Sequence, residues 1–277
     1  MDRGNLVEMA LRPGGFGPVE WVDEVSSTNT LLMDAARRGE DEGHVLIADS
    51  QTAGRGRRGR KWVAPLGSSL MMSVLLRPLP AELAPSEVHL ATTALALAAA
   101  SACEAVTGVR VGVKWPNDLV VEPPTGSVRA GDPGYRKVAG ILTESVVVGR
   151  EVIAVVPGIG INTGWEAVPE ELALGAASLN LLSGQEVDRV ELAVQTLDRF
   201  ARRYRELCDG GVAQLINDVT AISATVGRAI RIADGGQEWT VGQALGLDQL
   251  GRLIVETDAG KKIFDIGDVE HLRLGES

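Results

Sequence analysis

The spacing of apolar and polar positions predicts helices and strands in alternation over residues 26–207. In "SSTNTLLMDAARRG" leucines and alanines recur at helical spacing, and the hydroxyls of residues 26–28 can cap the start of a helix. Gly39 supplies the stop of that helix. "HVLIAD", which follows, is apolar through its centre and is typical of a buried strand.

Further elements are predicted along the chain in the same alternation. "SSLMMSVLLRP" predicts a strand and residues 87–106 a long helix, while "VRVGVKWPNDLVV" predicts two short strands around a proline turn. "KVAGILTESVVVG" and "EVIAVVPGIGIN" are β-rich runs joined at Gly149 and Arg150, which predicts a hairpin. The last helix of this region is predicted over residues 187–207.

The pattern changes near residue 222, where we expect a domain boundary. Beyond it, short apolar runs alternate with turn signals such as "DGG", "DQLG" and "DAG", which predicts a small antiparallel barrel of about 50 residues. Residues 1–221 and 222–277 are therefore expected to form two domains. The Pro- and Gly-rich segment 122–136, "EPPTGSVRAGDPGYR", lacks periodicity and predicts an exposed loop.

Composition and charge narrow the class of protein. The 277 residues carry a formal net charge of −10 and are 45% hydrophobic, values typical of a globular chain with a good core. The N-terminus has no basic segment followed by an apolar one, and the longest apolar run, 94–100, is too short to span a membrane. The two cysteines lie in helical segments and suit reduced thiols. We expect a cytoplasmic protein without a membrane anchor.

Against this acidic background, the loop "QTAGRGRRGRKW" (51–62) concentrates five cations within seven positions. Its glycines match G-x-G-x-x-G, but a proline and a strand follow instead of a helix, and Gly59 precedes Arg60 rather than Lys-Ser or Lys-Thr. Neither a dinucleotide-binding turn nor a P-loop is therefore predicted. Guanidinium groups suit phosphate or carboxylate oxygens, and because these arginines repel one another we expect the loop to become ordered only over an anion. A small anionic ligand, a solvated surface loop and a nucleic-acid site all stay open from this loop alone.

Four other motifs are each compatible with ordinary structure. "SSTN" is a helix cap, "KWPND" (114–118) a turn, "KVAGIL" (137–142) a strand that starts with a surface lysine, and "PGIGIN" (157–162) a strand with a bulge. Their order along the chain, together with "GRGRRGR", is more specific than any one of them. In that combination the chain strongly resembles the biotin protein ligases, the biotin–[acetyl-CoA-carboxylase] ligase family, over nearly its whole length.

The resemblance implies an α+β fold with two parts. One is a catalytic domain related to class II aminoacyl-tRNA synthetases, with a mixed sheet flanked by helices, and the other is a C-terminal SH3-like barrel. It also implies two reactions. The biotin carboxylate attacks the α-phosphate of ATP to give biotinyl-5′-adenylate, and a lysine of a biotin carboxyl carrier protein domain then takes the biotinyl group. Biotin, ATP and Mg²⁺ are the implied small ligands.

The resemblance further implies roles for individual residues. Lys137 and Arg57 are the implied catalytic residues: the lysine contacts the reacting carboxylate and phosphate, and the arginine lies in the loop that closes over them. The implied biotin-binding residues are Ser27, Thr28, Asn29, Gln51, Arg55, Gly56, Arg57, Lys137, Gly140 and Gly160.

A second set is implied for the nucleotide. These residues are Arg58, Arg60, Trp62, Asn117 and Asn162. Trp62 resembles a wall beside the adenine, and Asn117 resembles a contact to the nucleotide or to its Mg²⁺. The sequence names no protein ligand of Mg²⁺.

Two features depart from the family pattern. Bifunctional members carry an N-terminal winged helix-turn-helix, whereas "MDRGNLVEMALRPGGFGPVE" holds no helix pair, so no repressor function and no DNA binding are expected. The stretch between "KWPND" and "KVAGIL" is longer than is usual in the family, which makes the placement of Lys137 a point for the structure to test.

Two alternatives stay open. A lipoate or octanoate protein ligase of the same superfamily is the nearer one, although a fatty acyl substrate would not need the polar "STN" and Gln51 set. A non-catalytic nucleic-acid-binding protein is the other, and the net charge of −10 with only 4% aromatic residues argues against it. The three histidines are scattered and match neither a catalytic triad nor a zinc site. The sequence does not indicate the oligomeric state, the carrier protein or the base that deprotonates the acceptor lysine.

Overall fold

The computed structural model describes residues 2–78, 82–123, 134–166, 175–233 and 238–272. Most of the predicted loop 122–136 therefore lies outside the described residues. The helices within the described residues are α1 (Arg3–Ala10), α2 (Thr28–Arg38), α3 (Ala91–Thr107), α4 (Leu179–Ser183), α5 (Arg189–Cys208) and α6 (Val212–Ala221). The strands there form two sheets, one of seven strands and one of five.

The seven-stranded sheet is mixed, as the resemblance implies. Its strands are β1 (Val19–Val25), β2 (Val45–Gln51), β3 (Ser69–Val74), β4 (Gly112–Lys114), β5 (Asp118–Val121), β6 (Arg136–Val148) and β7 (Glu151–Asn162). They lie in the order β1-β2-β3-β7-β6-β5-β4. β1 and β2 run parallel, and the other neighbouring pairs are antiparallel. The predicted hairpin, β6 with β7, turns at Gly149 and Arg150 and lies near the centre of the sheet.

Helices cover the two faces of this sheet unequally. α3 and α5 pack on each other and against one face, where strand side chains such as Ile47, Met72 and Ile161 are buried. α2 covers part of the opposite face, with Leu32 packed against Val156 and its neighbours. Beyond α2, that second face lines a cavity that also receives residues 54–61, which we call the arginine loop.

α2 begins and ends where its sequence predicts. Ser27 Oγ accepts a hydrogen bond from the Thr30 backbone N–H at 3.4 Å, and Gly39 ends the helix with a φ of 89°. A left-handed residue of this kind satisfies the last carbonyls of a helix at little steric cost when it is glycine. The predicted "SSTN" cap is therefore the start of a real helix, and the first turn of that helix lines the cavity.

α3 is the helix predicted over residues 87–106, preceded by a short 3-10 turn at Val88–Leu90. By length and composition alone, the span Val88–Thr107 could cross a membrane, which corrects the estimate taken from residues 94–100. Most of this helix is buried against the sheet and α5. Its apolar composition is accounted for by a central position in the core.

Four elements, α1, β1, α4 and α6, had no counterpart among the predictions. α1 packs on β1 and α5, where Arg3 of α1 and Arg189 of α5 both pair with Asp49. The Trp21 indole N–H donates to Asp49 Oδ1 at 3.0 Å, and the two guanidinium carbons lie 4.7 Å and 5.6 Å from the Trp21 ring centroid. These contacts join residues far apart in sequence, so apolar spacing could not show them.

The five-stranded sheet is antiparallel and forms the predicted C-terminal barrel. Its strands are β8 (Ala229–Ala233), β9 (Thr240–Leu247), β10 (Leu253–Thr257), β11 (Gly260–Phe264) and β12 (Asp268–His271), in the order β11-β10-β9-β8-β12. Trp115, from the turn between β4 and β5, is buried with Val255 and Phe264 of this sheet. Its indole N–H donates to the Gly251 carbonyl at 3.0 Å. The proposed boundary after residue 221 falls between α6 and β8, and the barrel packs directly on the first sheet's turn.

Candidate active site

A cavity of about 390 Å³ lies where the second face of the seven-stranded sheet meets the barrel. It is lined by β6, β7, the first turn of α2, the arginine loop (residues 54–61), the β4–β5 turn and β12. The predicted site residues that line it are Ser27, Thr28, Asn29, Gln51, Arg55, Gly56, Arg57, Arg60, Trp62, Asn117, Lys137, Gly140 and Gly160. The structure thus brings most of the predicted residues to one place.

The start of α2 forms a polar cluster at the cavity wall. Gln51 Oε1 accepts a hydrogen bond from the Thr28 backbone N–H at 2.8 Å, which ties the end of β2 to the helix. The Ser73 hydroxyl lies 2.7 Å from Thr28 Oγ1 and donates to Asn29 Oδ1 at 2.6 Å. Thr28, Asn29 and Ser73 are buried, and buried polar groups with satisfied partners hold one geometry. The cluster therefore offers fixed donors and acceptors to a small polar ring.

Two glycines of β7 allow other side chains to lie directly on the sheet. A Cβ at Gly158 would stand 1.9 Å from Asn29 Oδ1, and one at Gly160 would stand 2.5 Å from Trp62 Cε2. The "GIGIN" spacing thus makes room for Asn29 and for the Trp62 indole. The indole N–H of Trp62 is buried and has no hydrogen-bond partner among the described residues. It is a donor at the cavity that a ligand could satisfy.

The far end of the arginine loop is tied to the barrel. Arg58 Nη1 lies 2.7 Å from Asp268 Oδ2, and Arg60 Nη2 lies 2.5 Å from Asp268 Oδ1. Burial raises the pKa of Asp268, but its hydrogen bonds and charge interactions with the two arginines outweigh burial and hold that pKa below its ordinary value. Arg58 adopts a left-handed φ of 57°, which is uncommon for a residue with a Cβ. The carboxylate of the barrel therefore holds the loop in a conformation that the loop alone disfavours.

The near end of the loop is tied to the first sheet. Arg55 Nη2 lies 2.8 Å from Glu144 Oε1 on β6, and Arg57 Nη1 donates to Asn117 Oδ1 at 3.1 Å. Burial is the main cause that lowers the pKa of Arg57 below its ordinary value. The expectation that the loop becomes ordered only over an anion stays a prediction. The opposite charge comes from carboxylates of the protein on both sides of the loop.

Two lysines reach the cavity. Lys137 Nζ lies 2.7 Å from Asp118 Oδ1 and 5.5 Å from the Trp62 ring centroid, so the long preceding segment does not remove it from the site. Lys114 is buried, and its Nζ lies 4.8 Å from the Tyr135 ring centroid. Desolvation is the main cause that lowers the pKa of Lys114, against the opposing charge of Asp118. Both lysines are placed to meet a negatively charged ligand.

Two predicted residues do not line the cavity. The Arg58 guanidinium forms an ion pair with Asp268 instead. Asn162 is buried, and its Nδ2 donates to the Ala177 carbonyl at 3.1 Å and to the Lys137 carbonyl at 3.4 Å. The Asn162 amide therefore braces the strand that carries Lys137. Its assignment to the nucleotide stays a prediction that this geometry does not favour.

Several cavity residues were absent from the predicted set. Lys114 and Asp118 belong to "KWPND", so the motif contained a signal for them. Trp239, Asp268 and Glu270 come from the barrel, and only the packing of the barrel against the first sheet places them at the cavity. No local pattern could have indicated that they share a site with the arginine loop.

The side chains at the β4–β5 turn fit a magnesium ion that arrives with ATP. Asn117 and Asp118 are adjacent oxygen donors at the cavity, and Asp118 Oδ1 is buried. Within the described residues, no group of three or more His, Cys, Asp and Glu side chains is placed to hold a metal. Mg²⁺ bound through one or two protein oxygens and substrate phosphates needs no larger group. The site therefore suits an ion that is associated with the substrate.

The fold and cavity define a ligase with a class II synthetase-like catalytic domain and an appended β-barrel. Residues 21–162 match the biotin/lipoate A/B protein ligase family, and residues 225–272 match the biotin protein ligase C terminal domain. The chain belongs to the biotin/lipoate A/B protein ligase family.

Curated relatives and solved structures agree with this membership. The chain is 33% identical over 276 residues to the biotin--[acetyl-CoA-carboxylase] ligase of Mycobacterium tuberculosis, covering 99% of this chain and 96% of that protein. It is 33% identical over 253 residues to the bifunctional ligase/repressor BirA of Bacillus spizizenii, covering 90% of this chain and 72% of that protein. A structure of biotin protein ligase from Aquifex aeolicus in complex with biotin and ATP superposes with a TM-score of 0.75 at 27% identity, covering 92% of this chain and 98% of that chain.

Proposed function

We propose that this chain is an ATP-dependent biotin protein ligase. In the first step a biotin carboxylate oxygen attacks the α-phosphorus of ATP, pyrophosphate leaves, and biotinyl-5′-adenylate forms. In the second step the ε-amine of a lysine on a biotin carboxyl carrier protein domain attacks the biotinyl carbonyl, and AMP leaves. The amine must lose a proton in that step, and we assign no residue to take it.

One observation carries the proposal: a single cavity joins a fixed polar cluster to a cationic surface. Thr28, Asn29 and Gln51 form the polar cluster, while Lys137 and Arg57 belong to the cationic surface. Biotin has these two characters, a ureido ring with paired donors and an acceptor at one end and a carboxylate at the other. The membership in a biotin/lipoate ligase family supports the same substrate class.

The cationic residues act mainly on charge and position. Attack of one anion on another requires that charge be neutralised and the reacting atoms aligned. We assign Lys137 to the carboxylate and α-phosphate, because its ammonium lies at the cavity and is held there by Asp118. We assign Arg57 to the closing of the loop over the adenylate, since a covered site protects a mixed anhydride from water.

The nucleotide is proposed to lie toward the β4–β5 turn and the barrel. Trp62 offers an aromatic wall, and Asn117 and Arg60 offer polar contacts on that side. Mg²⁺ bound with ATP would reduce the negative charge of the phosphates. The side-chain oxygens of Asn117 and Asp118, which line the cavity, would contact the ion. Arg58 contributes indirectly, through its pair with Asp268.

The polar cluster separates biotin from the nearest alternative substrate. A lipoyl or octanoyl chain has no ureido group, so it would leave the polar groups of Thr28, Asn29 and Gln51 without new partners. We therefore expect strong preference for biotin. The alternative of a nucleic-acid-binding protein is not favoured, because the arginine loop is paired with Glu144 and Asp268 rather than presented as an open basic face.

The decisive experiment is biotin-dependent exchange of labelled pyrophosphate into ATP, measured on the purified chain. We expect exchange with biotin and much less with lipoate or octanoate at equal concentration. Exchange that required lipoate or octanoate, with none for biotin, would reverse the substrate assignment. Transfer to an isolated carrier domain, followed by mass, would then test the second step.

The remaining expectations concern partners and place. A carrier domain of a biotin-dependent carboxylase is the proposed macromolecular substrate. We expect no sequence-specific DNA binding by residues 1–277, since their net charge is −10. We also expect the protein to act in the cytoplasm, where ATP and carboxylases are available.

A further inference from the structure

Glu144 is a charged residue near the site that touches two elements of the cavity wall without lining the cavity itself. It lies on β6, and its side chain is only 16% exposed. Its Oε1 pairs with Arg55 Nη2 at 2.8 Å, and its Oε2 accepts a hydrogen bond from Asn29 Nδ2 at 3.2 Å. One carboxylate thus joins the arginine loop to the polar cluster at the start of α2.

Asn29 does not depend on Glu144 for its hydrogen bonds. Its Nδ2 also donates to the Leu142 carbonyl at 3.0 Å and to the Val156 carbonyl at 3.4 Å. Its Oδ1 accepts from the Ser73 hydroxyl. A neutral acceptor in place of the carboxylate would therefore leave Asn29 satisfied.

Arg55 depends on Glu144 more strongly. Among the described residues, Glu144 is the carboxylate that pairs with Arg55, and the arginine stands between Gly54 and Gly56. Glycines on both sides leave the local backbone free to change shape. The Glu144 carboxylate is mostly buried, although about half of the Arg55 side chain is exposed, so this ion pair is screened less than one between two fully solvated groups. The charge of Glu144 is therefore placed to fix the near end of the loop.

We propose that Glu144 is a positioning residue that couples occupation of the polar cluster to closure of the arginine loop. This inference rests on the proposed function. A ring held against Asn29 lies beside Arg55, and the carboxylate holds both side chains in one arrangement. Because coupling between two groups is reciprocal, a closed loop retains biotin and a bound biotin favours the closed loop. The bound ligand then escapes slowly, while the chemical step itself is unchanged.

The first test is Glu144→Gln, which keeps the size of the side chain and an acceptor for Asn29. We expect the KM for biotin to rise about tenfold, mostly through faster biotin dissociation in stopped-flow measurements, as is usual when a contact made after encounter is lost. At saturating biotin and ATP, kcat for pyrophosphate exchange should stay within about twofold, and the KM for ATP should not change. Glu151→Gln, an exposed glutamate on the partner strand of the same hairpin, is the matched control and should leave all three values unchanged.

The second test separates positioning from a purely structural role. If Glu144 acts through Arg55, then Glu144→Gln should have little further effect on the KM for biotin in an Arg55→Ala background, so the two changes should be clearly non-additive. Arg55 lies on the loop rather than in the core. If Glu144→Gln folds poorly, Arg55→Ala by itself can therefore still test the ion pair. Equal effects in both backgrounds, or an unchanged KM for biotin, would overturn the proposal. Absence of any biotin-dependent exchange in the wild-type chain would instead refute the proposed function.

Discussion

Lys137 on β6 and Asp118 on β5 form an ion pair of 2.7 Å at the wall of the cavity. The two strands are neighbours in the sheet, so the pair is held by backbone pairing as well as by charge. The carboxylate restrains the ammonium without removing it from the cavity, which both residues line. Lys137 is therefore presented in one place to an incoming anion.

The first prediction concerns this lysine. If Lys137 stabilises the charge that develops between carboxylate and α-phosphate, Lys137→Ala should slow adenylate formation by about two to three orders of magnitude, as loss of one such donor does elsewhere. The affinity for biotin should change much less, because the polar cluster proposed to bind the ureido ring lies at the start of α2, away from Lys137. Single-turnover adenylation measures the first quantity and equilibrium titration the second, with the exposed Lys261→Ala as control. Near-normal adenylation would transfer the role to Lys114.

Arg57 should behave differently from Lys137. Its guanidinium is bonded to Asn117, so it links the loop to the β4–β5 turn across the cavity. In Arg57→Ala the adenylate should still form, but it should leave the protein roughly tenfold faster or more because the loop no longer retains it. Release can be followed by rapid filtration of labelled adenylate. A variant of the exposed Arg150 in the β6–β7 turn should retain adenylate like the wild type, and equal retention by Arg57→Ala would contradict the assigned role.

Most residues that line the cavity were expected from the family resemblance, which rests on the order of several short motifs along the chain. "SSTN" caps α2, the glycines of "GIGIN" leave space for Asn29 and Trp62, and "KVAGIL" places Lys137 at a cavity wall. Residue type and spacing predicted the helix cap and the strands, whereas the roles at the site were implied by the resemblance. The helix, hairpin and barrel patterns followed from apolar spacing.

The unpredicted features depend on pairing between distant segments. β1 is held by its parallel neighbour β2, and α1 by the buried carboxylate of Asp49. The carboxylates that pair with the loop's arginines are Glu144 and Asp268, one on a central strand and one in the barrel. A count of local charge showed five cations but could not show which carboxylates would oppose them.

The pair of Asp268 with Arg58 and Arg60 predicts that the barrel controls access to the loop. Asp268→Asn removes the charge that holds both guanidiniums, so the loop should open more often and trypsin should cleave after its arginines about tenfold faster, since cleavage tracks the open population. Limited proteolysis with mass detection measures this. Asp265→Asn is the matched control, because Asp265 is more exposed and pairs, at 3.6 Å, with Arg252 rather than with an arginine of the loop.

The same pair has a defined pH dependence. The pKa of Asp268 is lowered in the folded protein, so its contribution is present above the ordinary aspartate pKa and is lost as pH falls through the lowered value. Protection of the loop should therefore be insensitive to pH around neutrality and should weaken only in acid. Loss of protection on going from neutral to mildly acidic solution would contradict control by Asp268.

Gly158 gives the sharpest steric prediction. A Cβ there would stand 1.9 Å from Asn29 Oδ1 and 2.7 Å from Ser73 Oγ, and Asn29 is held by several hydrogen bonds that prevent it from simply moving aside. Gly158→Ala should therefore distort the polar cluster, at a cost of about 1–3 kcal/mol typical of overpacking, and raise the KM for biotin by roughly tenfold or more.

The KM for ATP should change less in the same variant, because Trp62 lies against Gly160 rather than against Gly158. Gly164→Ala is the matched control: it lies just beyond β7, and a Cβ there meets nothing within 4 Å. Steady-state exchange with each substrate varied in turn provides both KM values. Gly164→Ala should bind biotin normally. If Gly158→Ala also did so, Asn29 would not form part of the biotin site, and the polar end of biotin would lie elsewhere along the cavity.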